Sequence, residues 1–176
     1  QLGAVTNRVS VGTSVIILPF RNLVVLAKAI ATADVLSGGR VIFGAAVGWA
    51  EREFETLGVP FAERGERTDE YLRIIRTLWT EEDPTFEGKF FRFSNLAFEP
   101  RPAQAHVPIW IGGVTRRAAR RAAELGDAWH PNPRNLDVLR DGIKYMHTVC
   151  QRIGREKPPA ITARMKEKPF AEWAAI

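Results

Sequence analysis

The sequence has little cysteine, little histidine and no long apolar run. A single cysteine, Cys150, excludes a disulfide framework and a zinc site built from cysteines, and we expect it on a helix face as a small apolar residue. The three histidines have no spacing that suggests a metal site. No stretch of about 18 apolar residues is present, and no signal peptide opens the chain. We therefore expect a cytoplasmic protein that binds neither a membrane nor a metal.

Charge of one sign is not concentrated in any segment. Lysine and arginine total 25 against 20 acidic residues, which gives a formal net charge of +5. Because no block of about five or six like charges occurs, we expect no nucleic-acid partner. The 176 residues, of which 45% are hydrophobic, are enough for one domain with a real core.

Predicted strands alternate with predicted helices along the chain. The strands are 8–18, 40–47, 107–113, 127–131 and 159–165, and the helices are 22–39, 68–82, 115–126 and 135–154. Such repeated units predict a parallel sheet with helical crossovers, in either a (β/α) barrel or a doubly wound open sheet. Residues 82–105 break the alternation, and Glu87-Gly88 between aromatic flanks predicts a β-hairpin insertion there.

The predicted helix that follows Gly112-Gly113 begins with an unusual concentration of positive charge. Its first two turns contain Arg116, Arg117, Arg120 and Arg121. The helix dipole disfavours cations at this end, whereas glycines and free N–H groups at a strand-to-helix turn favour an anion. A tight turn with Thr115 as N-cap explains the glycines but not the arginines, and a wholly solvated basic face is the other alternative. We interpret this segment as a phosphate site.

Several motifs resemble the luciferase-like monooxygenase superfamily, and in particular its branch that uses the deazaflavin coenzyme F420. They are "VGTSVIILPFRNLVVLAKAIATADVLSGGRVIFGAAVGW", "EFETLGVPFAERGERTDEYLRIIRTLW", "FEGKFFRF" and "VPIWIGG" followed by "RRAAELGDAWHP". They occur in the family's order and extend over roughly residues 9 to 165. The abundance of arginine and alanine is typical of proteins from GC-rich bacterial genomes.

The resemblance implies an α/β fold, a TIM (β/α) barrel with an insertion near its fifth strand. Residues 1–176 would form one partial barrel domain that contains about strands three to seven, with the hairpin insertion at about 82–105. The first two strands and the last would be absent, so we expect the isolated chain to turn over no substrate. The motif "GAAVGW" has alanines where the family usually has glycines.

The function that the resemblance implies is hydride transfer with coenzyme F420 on a small organic substrate. One alternative is an FMN-dependent monooxygenase. Another is a non-catalytic partial barrel that only binds or oligomerises, because unpaired edge strands favour association. The expected partners are a small-molecule substrate and further copies of the chain.

The resemblance also implies roles for particular residues. Ser14 and Val15 match the position where these barrels often have a cis peptide beneath the cofactor ring, and an ordinary trans strand is the alternative. The phosphate site that we interpret from the glycines and arginines of the segment itself would bring the cofactor's phosphate into contact with Gly112, Gly113, Val114, Thr115, Arg116 and Arg117.

Two residues at predicted strand ends are candidates for catalysis. Trp49 would line the substrate side of the ring, or else be a core residue under the insertion. His130 would act as general acid or base, or else cap a loop or face water.

Overall fold

The computed structural model describes residues 2–162. Its helices are α1 (Leu2–Val5), α2 (Leu23–Ser37), α3 (Glu51–Thr56), α4 (Arg64–Thr80), α5 (Arg116–Leu125) and α6 (Leu136–Arg152). Its strands are β1 (Val11–Gly12), β2 (Ile16–Ile17), β3 (Val41–Ala46), β4 (Phe86–Glu87), β5 (Arg92–Phe93), β6 (Ile109–Gly112), β7 (Ala128–His130) and β8 (Ala160–Ile161). The chain divides into two compact units, Gln1–Pro108 and Ile109–Ile176. The end of the last predicted strand, 163–165, lies outside the described residues.

In the first unit, β1 and β2 both pair in parallel with β3. The prediction of one continuous strand over 8–18 is wrong, because the side chain of Thr13 replaces the strand ladder between the two pieces. Its Oγ1 donates to the carbonyl of Gly44 at 2.8 Å and accepts from the N–H of Gly44 at 2.9 Å. A Cβ at Gly44 would lie 1.9 Å from the Thr13 carbonyl oxygen, so this approach requires glycine.

Helices α2 and α4 cover β3 and supply most of the core of this unit. Phe43 of β3 is fully buried and meets Trp79 edge to face, with ring centroids 5.8 Å apart. Helix α4 begins at Arg64, earlier than the predicted 68, because the 3-10 helix Phe61–Glu63 leads directly into it. Helix α2 ends as predicted at Gly38, which has the left-handed φ of 68°.

A buried carboxylate on α4 fixes the turn of the β4–β5 hairpin. The strands pair antiparallel, with Phe86 opposite Phe93. Glu70 accepts three backbone N–H bonds from the turn, and they come from Lys89 at 2.8 Å, Phe90 at 2.9 Å and Phe91 at 2.7 Å. The N–H of Gly88 donates to the backbone oxygen of Phe91 at 2.9 Å, and the other three N–H groups of the turn find their acceptor in this one side chain.

In the second unit, β6, β7 and β8 form a parallel sheet, and α5 and α6 pack on one face of it. Helix α6 lies very close to the sheet, since a Cβ at Gly142 would be 2.0 Å from Cη2 of the buried Trp129. Arg155 satisfies the last carbonyls around the end of α5, donating to Ala123 at 2.8 Å and Gly126 at 2.9 Å. Within 2–162, no helix is long and apolar enough to cross a membrane.

Replacing Glu70 should destabilise the chain much more than replacing Glu66, one turn earlier on α4. Glu70→Gln puts an amide NH₂ where an oxygen now accepts N–H bonds, and a buried donor without an acceptor costs about 1–3 kcal/mol. Glu66 forms an exposed ion pair with Lys89 at 2.7 Å, so Glu66→Gln should cost at most about 1 kcal/mol. Urea unfolding of both variants measures the difference, and equal losses would contradict the role given to Glu70.

Candidate functional site

The segment between β6 and α5 is an exposed turn that ends in a capped helix. Gly113 has a φ of 115°, which L-residues with a side chain rarely adopt. Thr115 is the N-cap, and its Oγ1 accepts the N–H of Ala118 at 3.3 Å. Residues 113–117 are all exposed. The turn therefore presents backbone N–H groups, a hydroxyl and two arginines to solvent.

Arg116 is already engaged with an acidic residue of α6. Its Nη2 donates to Oδ1 of Asp141 at 2.7 Å and its Nε to Oδ2 at 3.1 Å, which makes the pair bidentate. The guanidinium also lies 5.3 Å from the ring centroid of Tyr145. The hydrogen bond to Arg116 lowers the pKa of Asp141 and raises that of Arg116.

The remaining three arginines of α5 have different surroundings. Arg120 forms an ion pair with Glu124, one turn later. Arg121 is only 4% exposed. Arg117 is exposed, and within 2–162 it forms no hydrogen bond or ion pair. The wholly solvated basic face is therefore wrong as a description of α5, and Arg117 is the arginine of its first turn with no partner among the described residues.

The alanines of α5 form the packing surface of the helix. They are buried to 4% exposure or less: Ala118, Ala119, Ala122 and Ala123. Small side chains let α5 lie close to the sheet and to α6.

His130 ends β7 and is directly opposite Gly112 in the parallel register, so the structure brings these two predicted residues together. Its Nδ1 contacts the backbone oxygen of Thr162 and lies 3.0 Å from Thr162 Oγ1. Its ring centroid is 5.4 Å from that of Trp110. The side chain is half-buried, so it does not simply face water.

The other predicted site residues lie in the first unit. The peptide bond between Ser14 and Val15 is cis, as the resemblance implies. Trp49 is 87% exposed, so the alternative that it is a core residue is wrong. Gly48 before it has a φ of 82°, and a Cβ there would lie 2.9 Å from both Ile17 and Phe54.

Sequence reasoning missed the residues that hold these side chains. Asp141 follows Arg116 by 25 positions, and nothing in the sequence connects them. Trp110 had a usable signal, because strand alternation places it on the same face as Gly112. Thr162 had no signal in the sequence, since its contact with His130 depends on the register of β8 against β7. Within 2–162, no group of three or more potential ligands could hold a metal ion.

The chain is similar to proteins of one family. A model described as luciferase-like monooxygenase matches residues 1–166. The uncharacterized protein Rv0953c of Mycobacterium tuberculosis is 34% identical over 178 residues, which cover 98% of this chain and 62% of that protein. An FMNH₂-dependent dimethylsulfone monooxygenase of Pseudomonas putida is 32% identical over 118 residues, 65% of this chain and 32% of that protein.

A solved structure shows the same fold. An F420-dependent secondary alcohol dehydrogenase, in complex with an F420-acetone adduct, matches with a TM-score of 0.80 and 23% identity. The match covers 93% of this chain and 50% of that one. The fold is thus the incomplete α/β barrel that the sequence predicts, and the chain spans less than two thirds of the length of the curated relatives it matches.

Removing Arg116 should raise the pKa of Asp141 back towards the ordinary aspartate value, because the hydrogen bond that favours the carboxylate is lost. Arg117→Ala is the matched control, since it removes the same charge from the next residue without touching this pair. Carboxyl chemical shifts followed through an acid titration report the change. An Asp141 pKa that rises equally in both variants would contradict the pairing.

Proposed function

The chain belongs to the luciferase-like monooxygenase family, and on that basis we propose that it is part of an oxidoreductase that uses coenzyme F420. The substrate is a small organic molecule, and the cofactor, when bound, supplies or accepts a hydride. The chain's own residues bind and orient both. Since the chain spans 62% of a mycobacterial relative, the activity of the whole protein is part of this proposal.

The observation that carries the proposal is the exposed start of α5. A phosphate needs several hydrogen-bond donors and a positive field in one place, and this turn supplies both. The first N–H groups of a helix have no partner within it, and the helix dipole adds partial positive charge. Thr115 Oγ1 accepts the N–H of Ala118, which leaves its own hydroxyl hydrogen to donate. The residues present therefore fit a phosphate-bearing cofactor.

Within this site the two arginines of the first turn have separate roles. Arg117 has no ion-pair or hydrogen-bond partner among residues 2–162 and contacts the phosphate. Arg116 is held by Asp141, so it adds positive field at the turn while its donors stay partly occupied. Gly112, Gly113 and Val114 contribute backbone N–H groups and allow the anion to approach closely.

The remaining site residues bind the ring and the substrate. Ser14 and Val15 lie beneath the ring of the cofactor. Trp49, with an indole almost fully exposed to solvent, lines the substrate side. His130 is the candidate general acid or base, because it ends a strand on the rim where such barrels build their sites.

An FMN-dependent monooxygenase is the second candidate, and the similarity to an FMNH₂-dependent enzyme favours it. FMN also has a phosphate, so the same turn suits it.

The protein is further proposed to be cytoplasmic and a homo-oligomer. Large apolar side chains exposed on α1 and α2 support association, and they include Leu2, Val5 and Leu36.

Fluorescence titration of the chain with coenzyme F420 and with FMN distinguishes the alternatives. Binding of F420 alone supports the first candidate, and binding of FMN alone supports the second. If neither binds, the chain is a partial barrel without a cofactor site and the proposal is wrong.

Arg117→Ala should weaken binding of the cofactor about 10-fold or more, because a hydrogen bond to a charged group contributes about 1.5–3 kcal/mol. Arg152→Ala, which removes an exposed arginine at the end of α6, is the control for net charge. Equal affinities of the two variants and the parent chain, with no dependence on salt, would show that Arg117 does not contact the cofactor.

A further inference from the structure

We propose that Trp129 is a positioning residue for the turn at residues 113–117. Its indole N–H holds the carbonyl of Gly113, so that the same peptide unit presents the N–H of Val114, and not the carbonyl, to an anion. The anion half of this inference rests on the proposed function. The orientation of the peptide does not, because it follows from contacts within the second unit.

A hydrogen bond joins the buried core of this unit to the exposed turn. Nε1 of Trp129 donates to the backbone oxygen of Gly113 at 2.8 Å. Trp129 is fully buried, whereas Gly113 and Val114 are exposed. A buried indole N–H needs an acceptor, since it donates but cannot accept. Trp129 finds that acceptor in the turn.

The core sets the position of the indole. Trp129 lies in β7, opposite Ile111 in the register with β6. On the other side its ring lies against Gly142 of α6, where a Cβ would be 2.0 Å from Cη2 of the ring. Because a strand and a helix both hold the ring in a close-packed interior, the position of Nε1 does not depend on the turn.

The direction of the Gly113 carbonyl determines the direction of the next N–H. The peptide bond between Gly113 and Val114 is trans, and in a planar trans peptide the C=O and N–H bonds point in opposite directions. Since the oxygen of Gly113 points to the buried indole, the N–H of Val114 points away from it. Within 2–162 this N–H forms no hydrogen bond, so it is a free donor on the exposed turn.

Glycine at position 113 permits this orientation but does not select it. Gly113 has a φ of 115°, and a Cβ there would lie 3.1 Å from that of Ala118. Without a side chain, glycine adopts both signs of φ about equally readily, so its peptide unit is free to turn over. The bond from Trp129 opposes that rotation, because it is lost when the carbonyl turns away from the indole.

The orientation of this peptide determines the charge of the ligand that the turn accepts. A backbone N–H attracts an anion such as a phosphate oxygen, whereas a carbonyl in the same place attracts a cation or a hydrogen-bond donor. Without the indole bond the turn divides between the two orientations. Its apparent affinity for an anion then falls in proportion to the fraction that remains competent.

The bond is testable by NMR in the chain without a ligand. A scalar coupling through the hydrogen bond should connect the indole ¹⁵N of Trp129 with the carbonyl ¹³C of Gly113. Trp79 is the internal control, because its buried indole donates to the backbone oxygen of Ala27 at 3.1 Å. We expect both couplings. A coupling at Trp79 without one at Trp129 would overturn the proposal, whether or not any variant folds.

Trp129→Phe keeps an aromatic ring in β7 but removes the N–H donor. Inorganic phosphate should bind this variant about 5-fold more weakly than the parent, the factor by which a typical intramolecular hydrogen bond biases an equilibrium. The amide signal of Val114 should also lose most of its shift on addition of phosphate. Trp79→Phe is the matched control, since it removes the same kind of buried indole–carbonyl bond from the first unit. It should leave the phosphate affinity unchanged, and amide shifts of the ¹⁵N-labelled chains measure both variants.

The outcomes separate this inference from the proposed function. A parent chain that binds phosphate at residues 113–117 with the same affinity as Trp129→Phe would overturn the role of Trp129 and leave the phosphate site standing. Equal losses in Trp129→Phe and Trp79→Phe would also overturn that role, because both would then reflect general loss of stability. If phosphate shifts no amide of 113–117 in the parent chain, the proposed phosphate site is wrong and the anion half of this inference is wrong with it.

Discussion

Backbone polar groups outside helices and strands must still find partners, and in this chain a few charged side chains provide them. Glu70 accepts the N–H groups of the hairpin turn. Arg155 donates to the carbonyls at the end of α5. The fully buried Asp34 joins the start of β3 to the segment around Gln104, accepting from Val41 N at 3.1 Å and Gln104 N at 2.9 Å. Without these side chains, the turns that connect the β-α units would have unpaired backbone groups.

The position of the candidate site in the second unit depends on backbone hydrogen bonds between strands and on close packing of the helices against the sheet. The β6–β7–β8 ladder determines where Gly112, His130 and Thr162 lie. Gly112 and His130 are opposite each other in the register of β6 and β7, and the N–H of Thr162 donates to the backbone oxygen of Trp129 in β7. The small residues of α5 and Gly142 of α6 let both helices approach the sheet closely. The exposed turn at residues 113–117 is consequently presented by a rigid base, which is what binding of a specific ligand requires.

The sequence predicted the parts of the fold that depend on local pattern. The apolar run of β3, the N-cap Thr115 and the stop at Gly38 were all visible in it. It failed where a distant contact decides the structure, as in the break between β1 and β2, which the bonds of Thr13 to β3 produce. For the site, the sequence identified the arginines of α5, but it did not show that Arg116 forms an ion pair with Asp141. A pairing across many residues leaves no periodic or local signal.

The central claim is that the start of α5 binds the phosphate of a deazaflavin or flavin cofactor. Backbone amide shifts of the ¹⁵N-labelled chain, recorded as coenzyme F420 is added, test it most directly. The account predicts saturable shifts concentrated at residues 113–117, with the hairpin turn at 89–91 unaffected because Glu70 already accepts the N–H groups of these three residues. Saturable shifts that leave 113–117 unchanged would contradict it.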